Sequence, residues 1–216
     1  YLYHARFLHE HGYPSVIFDQ RGHGESASAR VSLGPLEARD VVSVLGMLRD
    51  AGRGEGFVVW GSSMGAAIGL LAASRSTLIT GVISESSYET LDGVLADTLR
   101  TRYRMPRFPL VPVGLRLASF LAGIDLRDVS VCRSVASLEI PLVFVSGECD
   151  ARMTPEMGER LFSLATKGHS HVVVPGADHA ECWTLGQPKY SEHVLELVHA
   201  SLSSPSQADH RGLPAT

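Results

Sequence analysis

Residues 57–73 read FVVWGSSMGAAIGLLAA. Phe57 to Trp60 is a short apolar run of β-branched and aromatic residues, which predicts a buried strand. Met64 to Ala73 is rich in Ala and Leu and predicts a helix. Between them, Gly61-Ser62-Ser63-Met64-Gly65 makes a G-x-S-x-G pattern with a strand before it and a helix after it. A turn this sharp pushes Ser63 into a strained backbone conformation with its hydroxyl exposed. Side chains two residues to either side would collide, and Gly61 and Gly65 have none. The following helix aims its N-terminus at the same point, which makes the Met64 N–H a candidate oxyanion donor. Ser62 is a rival hydroxyl off the centre of the pattern. The competing reading is a chance Gly/Ser match in a strand–helix loop, and the flanking elements argue against it.

The same alternation extends in both directions. Towards the amino end, Tyr1 to His11 predicts a helix stopped by Gly12. Ser15 to Asp19 (SVIFD) predicts a buried parallel strand, and Gly34 to Ala51 a helix with Leu36, Val41, Val44, Leu45 and Leu48 on one side. Towards the carboxyl end, strands are predicted at Gly81 to Ser84, Pro141 to Ser146 and Ser170 to Val174. Helices are predicted at Pro155 to Ala165 and Tyr190 to Leu202. Strands alternating with helices imply an α/β fold, a mostly parallel sheet flanked by helices. Reactive groups in such sheets lie beyond the carboxyl ends of the strands. Residues 88–138 break the rhythm with helix-like patches at Leu91 to Leu99 and Val113 to Leu121, and read as a small helical cap inserted in a core of 1–87 and 139–202. From residue 203 the chain is polar with Pro205 and Pro214, and reads as a disordered tail.

A serine hydroxyl needs a base, and the base needs an orienting carboxylate. Asp150 stands in the loop Gly147-Glu148-Cys149-Asp150 after a predicted strand, where such a carboxylate belongs. The alternative is a loop Asp capping the helix at Pro155. Glu148 and Glu85 are rival carboxylates. His179 follows the last strand and precedes the last helix, 29 residues after Asp150. Ten histidines occur in the chain, and position singles this one out. His169 and His171, at the start of that strand, have no supporting metal ligands.

Composition narrows the function classes. The chain has 216 residues, 44% hydrophobic and 19% charged, with a formal net charge of -4, which suits one globular domain and lacks the basic footprint of a nucleic-acid binder. No stretch reaches the ~20 apolar residues of a membrane span. Three cysteines, Cys132, Cys149 and Cys182, make no disulfide framework, so a reducing, cytoplasmic setting is the expectation. Cys149 and Cys182 read as small buried fillers beside the site. The arginines at 100, 102, 104 and 107 read as a solvated face, with an acidic substrate group as the alternative ligand.

Asp19-Gln20-Arg21-Gly22-His23-Gly24-Glu25-Ser26, Gly61-Ser62-Ser63-Met64-Gly65, Gly147-x-x-Asp150 and Asp178-His179-Ala180, in this order, resemble the α/β-hydrolase superfamily. The nearest branch is that of the serine aminopeptidases, monoacylglycerol-lipase-like enzymes and Bem46-like esterases. The resemblance covers roughly residues 1–202. It implies Ser63 as nucleophile, Asp150 as acid, His179 as base, a structural role for Arg21 and His23, and a lid made by 88–138. It implies no metal and no organic cofactor. In that superfamily two or three strands and a His-Gly loop, source of the second oxyanion N–H, come before the helix that opens this chain, so an amino-terminal truncation is expected, with the first strands missing. The expected activity is cleavage of a carboxylic ester, thioester or amide of a small-molecule acyl substrate through an acyl-enzyme. A peptidase, an acyltransferase, and a catalytically impaired hydrolase-like scaffold stand as alternatives. Oligomeric state has no signal in the sequence.

Overall fold

The computed structural model describes residues 1–203. They fall into two compact units, 1–31 and 32 onward. Of the tail expected over 203–216, residue 203 still belongs to the last helix, and residues 204–216 lie outside the described residues.

The first unit opens with α1 (Leu2–Glu10). It stops at Gly12, whose φ of +83 turns the chain away. Ser15 to Asp19 is not the expected strand and forms no ladder. An apolar run specifies a strand only where neighbouring strands accept its hydrogen bonds, and local composition cannot supply them. The loop after it is braced from within. Asp19 accepts the Glu25 N–H at 2.9 Å, the Ser26 hydroxyl donates to the Asp19 carbonyl at 2.6 Å, and a His23 ring nitrogen lies 2.9 Å from the Arg21 carbonyl. Arg21 and His23 sit in this self-tied turn.

The second unit contains β1 (Phe57–Ser62), β2 (Ile79–Glu85), β3 (Leu142–Gly147) and β4 (Gly168–Val174). They pair in chain order, β1-β2-β3-β4, all parallel. Among the described residues four strands thus stand where the sequence predicted five. Their near-continuous apolar stretches suit burial on both faces. On one face lie α3 (Met64–Ala73), against β1 and β2, and α7 (Pro155–Leu164), against β3 and β4. Behind them pack α2 (Pro35–Asp50) and α6 (Val131–Ala136). On the other face α9 (Lys189–Ser203) touches all four strands, with Leu197 and Ser201 against Gly81. Alternation along a strand divides the side chains. Leu142 and Phe144 of β3 join the core with α3 and α7, while Val143 and Val145, equally buried, point the other way. Because α3 is enclosed by sheet and α2, it has no polar face, and Ala66 to Ala73 are all buried.

Between β2 and β3 run α4 (Leu91–Thr101), α5 (Leu110–Ala122) and a 3₁₀ turn at Leu126–Asp128, then α6. Thr90 caps α4 by accepting the Gly93 N–H, Ser130 caps α6 through the Arg133 N–H, and Gly123 ends α5 in the left-handed region. The excursion closes at a narrow neck. Leu91 N–H donates to Val129 at 3.1 Å and Val131 N–H to Glu89 at 2.9 Å, on either side of a Thr90–Ser130 bridge. Among the described residues no helix is long and apolar enough to cross a membrane.

Candidate active site

Parallel pairing brings every strand's carboxyl end to one edge. Ser62 lies opposite Glu85, and Gly147 opposite Val174. The loops that leave this edge carry Ser63, Asp150 and His179.

Ser63 bridges β1 and α3 with φ 54 and ψ -120, outside the regions open to a serine without cost. The strain is sustained by its surroundings. The Ser63 N–H donates to the Glu85 carbonyl at 2.8 Å, and the Ser63 carbonyl accepts the N–H groups of Ala66 and Ala67. Gly61 must be glycine, because a Cβ there would overlap the Gly65 carbonyl group. Since α3 begins at Met64, the Met64 N–H stands in the first turn, where no intrahelical acceptor exists.

His179 Nε2 lies 3.0 Å from Ser63 Oγ and Nδ1 lies 2.8 Å from Asp150 Oδ2. The Asp150 side chain is fully buried, and that of His179 is 16% exposed. Gly147 allows the two loops to meet, because a Cβ on it would strike the Ala177 carbonyl. The other Asp150 oxygen accepts the N–H groups of Arg152 and Met153, both at 2.9 Å. Burial works against the Asp150 charge, but the Met153 N–H, the His179 ring and the Arg152 N–H outweigh it and hold the carboxyl below its ordinary range. A hydroxyl, a ring nitrogen and a buried carboxylate in series allow the ring to accept the hydroxyl's proton while the carboxylate fixes its tautomer.

The rival groups have other partners. Ser62 Oγ donates to Glu85 Oε1 at 3.3 Å. Glu148 accepts the Gly176 N–H at 2.8 Å. His171 lies within β4, its ring 3.1 Å from Ser146 Oγ, and burial lowers its pKa. Cys182, at the start of the short α8 (Cys182–Leu185), is fully buried as expected, and burial pushes its thiol up to about 12. Cys149, expected to be buried, is exposed, because its side chain leaves the outer side of the loop that turns Asp150 inward. Arg102, Arg104 and Arg107 are exposed, and Arg100 pairs with Asp97 at 2.7 Å. Among the described residues no cluster of potential ligands could hold a metal ion. An open cleft of about 640 Å³ between α4, α5 and the 3₁₀ turn, walled by Leu115, Arg116, Phe120 and Ile124, includes none of Ser63, Asp150 and His179.

Sequence reasoning missed one part of the site. Tyr190 OH donates to Glu85 Oε2 at 2.9 Å, and the Trp60 ring N–H donates to the Tyr190 oxygen at 3.0 Å. Trp183 completes the surrounding aromatic cluster. Tyr190 is distant in sequence, and nothing in its local pattern marks it.

Residues 1–90 match the family profile of the serine aminopeptidases, S33. A curated protein of Bacillus subtilis, YqkD, carried as uncharacterized, is 27% identical over 190 residues, which are 87% of this chain and 62% of that protein. The chain therefore spans less than two thirds of that relative's length. The Pyrococcus furiosus esterase Pf2001 superposes with a TM-score of 0.71 at 22% identity, over 91% of this chain and 74% of the esterase. A lipase-esterase related protein from Clostridium acetobutylicum superposes with a TM-score of 0.65 at 15% identity, over 89% of this chain and 87% of its own.

Proposed function

We propose that this chain, an α/β-hydrolase by fold, is a serine hydrolase that cleaves a carboxylic ester through an acyl-enzyme. The observation that carries the reading is the continuous relay from Ser63 Oγ through His179 to Asp150, at 3.0 and 2.8 Å, hung from a strained strand–helix turn. The esterase character of two structural neighbours favours an ester over an amide.

In this reading Ser63 Oγ attacks the acyl carbon as its proton passes to His179 Nε2. Asp150 holds the ring so that Nδ1 keeps its hydrogen. The Met64 N–H, at the positive end of α3, donates to the oxygen that gains charge in the tetrahedral species. His179 then returns the proton to the leaving oxygen, and water attacks the acyl-enzyme by the same route in reverse. The helices within 88–138 would form a cap over the acyl group. The aminopeptidase profile over residues 1–90 supports a second reading, peptide hydrolysis by the same residues, since substrate choice resides in the pocket and cap rather than in the relay.

Labelling with a fluorophosphonate probe, followed by peptide mapping, tests the proposal on this chain and on Ser63→Ala. Covalent labelling at Ser63 that is lost in the variant is expected. A folded chain that does not label, or that labels equally in the variant, overturns it.

A further inference from the structure

The helix α5 has two apolar faces, and the fold uses one of them. Leu115, Ala118 and the buried Val111 turn towards the interior of the excursion, where Gly114 leaves room for Leu99 of α4. The packing partners of α5 are α4 and the 3₁₀ turn. Leu110, Val113, Leu117, Phe120 and Leu121 follow the spacing of a second face, and all are exposed, Phe120 at 82%. The loop that leads into α5 extends the patch, with Tyr103 and Phe108 exposed as well, the latter also at 82%. A helix that is apolar all round is ordinarily covered all round, and a continuous exposed apolar patch marks a contact surface.

Charge identifies the contact. Residues 98–124 hold five arginines and no Lys, Asp or Glu, in a chain whose formal net charge is -4. Arg100 pairs with Asp97. Arg102, Arg104 and Arg107 in the loop, and Arg116 beside the apolar stripe, are exposed and have no ion-pair partner among the described residues. Cations around large apolar side chains match a surface that is anionic outside and hydrocarbon beneath. Arginine stems can lie along the apolar layer while the guanidinium groups stay with phosphate. A second copy docked patch to patch would instead bring these arginines against one another. The contact runs along the lipid surface, because α5 has 13 residues where a membrane span needs about 20.

We propose that the outer face of α5, together with the loop over 102–109, is a docking surface for an anionic lipid bilayer. The excursion departs from the carboxyl end of β2, the edge from which Ser63, Asp150 and His179 also project. The surface does not depend on the hydrolase reading of those residues, since lipid binding asks nothing of Ser63.

The test is flotation of the full chain with vesicles of phosphatidylcholine alone and of phosphatidylcholine with about one third phosphatidylserine. Binding to the anionic vesicles is expected, at least about tenfold stronger than to the neutral ones, and it weakens as salt rises from about 0.1 to about 0.5 M. Arg102→Gln, Arg104→Gln and Arg107→Gln together lower it about a hundredfold, because each cation at such a surface contributes about fivefold. Leu117→Gln with Phe120→Gln lowers it by more than about tenfold through lost apolar burial. All five side chains are exposed, so thermal melts stay close to that of the unaltered chain. The arginine variant changes only loop residues, and it carries the test alone should the apolar variant fail to fold. A chain that stays in solution with both kinds of vesicle, or binds both equally, overturns the proposal. So does a dimer in light scattering that comes apart in the Leu117→Gln, Phe120→Gln variant, which assigns the face to a second copy. A raised KM for a water-soluble ester in that variant, without vesicle binding by the unaltered chain, overturns it too and assigns the face to the acyl pocket. Flotation needs no turnover, so a chain that fails to label at Ser63 defeats the hydrolase reading and leaves this test intact.

Discussion

Asp150 is committed by its surroundings to a single orientation. One oxygen is occupied by two backbone N–H groups and the other by the His179 ring, so the side chain cannot swing away. In Asp150→Asn the oxygen that accepts the Arg152 and Met153 N–H groups is retained, and the fold should persist. The amide NH₂ then faces Nδ1 and selects the opposite ring tautomer, which leaves Nε2 bearing a hydrogen towards Ser63. The expected result is a fall in kcat of roughly 10³–10⁴ with little change in KM. Ester kinetics beside a thermal melt check this, and a normal rate in a folded variant would remove Asp150 from the relay. The three residues joined by these hydrogen bonds were legible as candidates because each stands just past an apolar run read as a strand. Glu85 was legible only as a competitor for the same histidine. Its real partner, Tyr190, is 105 positions away, and such a pair shows no local period.

At the scale of elements, most periodic or uniformly apolar stretches were readable to within about three residues. The helix read at Met64 to Ala73 has those bounds in the structure. Ser15 to Asp19 looks the same on paper as β3, and what separates them is the presence of hydrogen-bonding neighbours, which no short window records. The start of α2 shows what a short window does record. Glu37, three residues past the N-cap Gly34, is fully buried and accepts the Ser32 N–H at 2.7 Å, the Ser32 hydroxyl at 2.6 Å and the Gly34 N–H at 2.8 Å. Glu37→Ala leaves those buried donors unpaired and should cost about 3 kcal/mol in urea unfolding. A loss below about 1 kcal/mol would mean that water replaces the carboxylate and that the cap is not holding α2.

For the whole molecule, the buried carboxylates set the response to pH. Burial opposes the charge on Glu37, but bonds from Ser32 and Gly34 overcome it and lower its pKa, and Asp150 is lowered likewise. A group lowered in the folded state leaves the unfolded chain to take protons first. Its contribution is therefore complete above the ordinary carboxylate value of about 4 and is lost as pH falls through the lowered value. Glu85, raised by burial, acts in the opposite sense: its contribution is present at low pH and is lost as pH rises through the raised value. Urea midpoints should therefore drop steeply on the acid side, and the double variant Glu37→Gln, Asp150→Asn should flatten that drop. An unchanged acid limb in the double variant would assign it to other carboxylates. The order of the strands carries one more consequence. Ser63 and His179 lie 116 positions apart in the chain and leave opposite margins of the sheet, beyond β1 and β4. Their encounter requires a long chain closure across the sheet, one that local contacts cannot make early or in part. During synthesis the hydroxyl emerges long before the imidazole, and a nascent or half-folded chain has Ser63 without its hydrogen bond to His179 until the final strand docks.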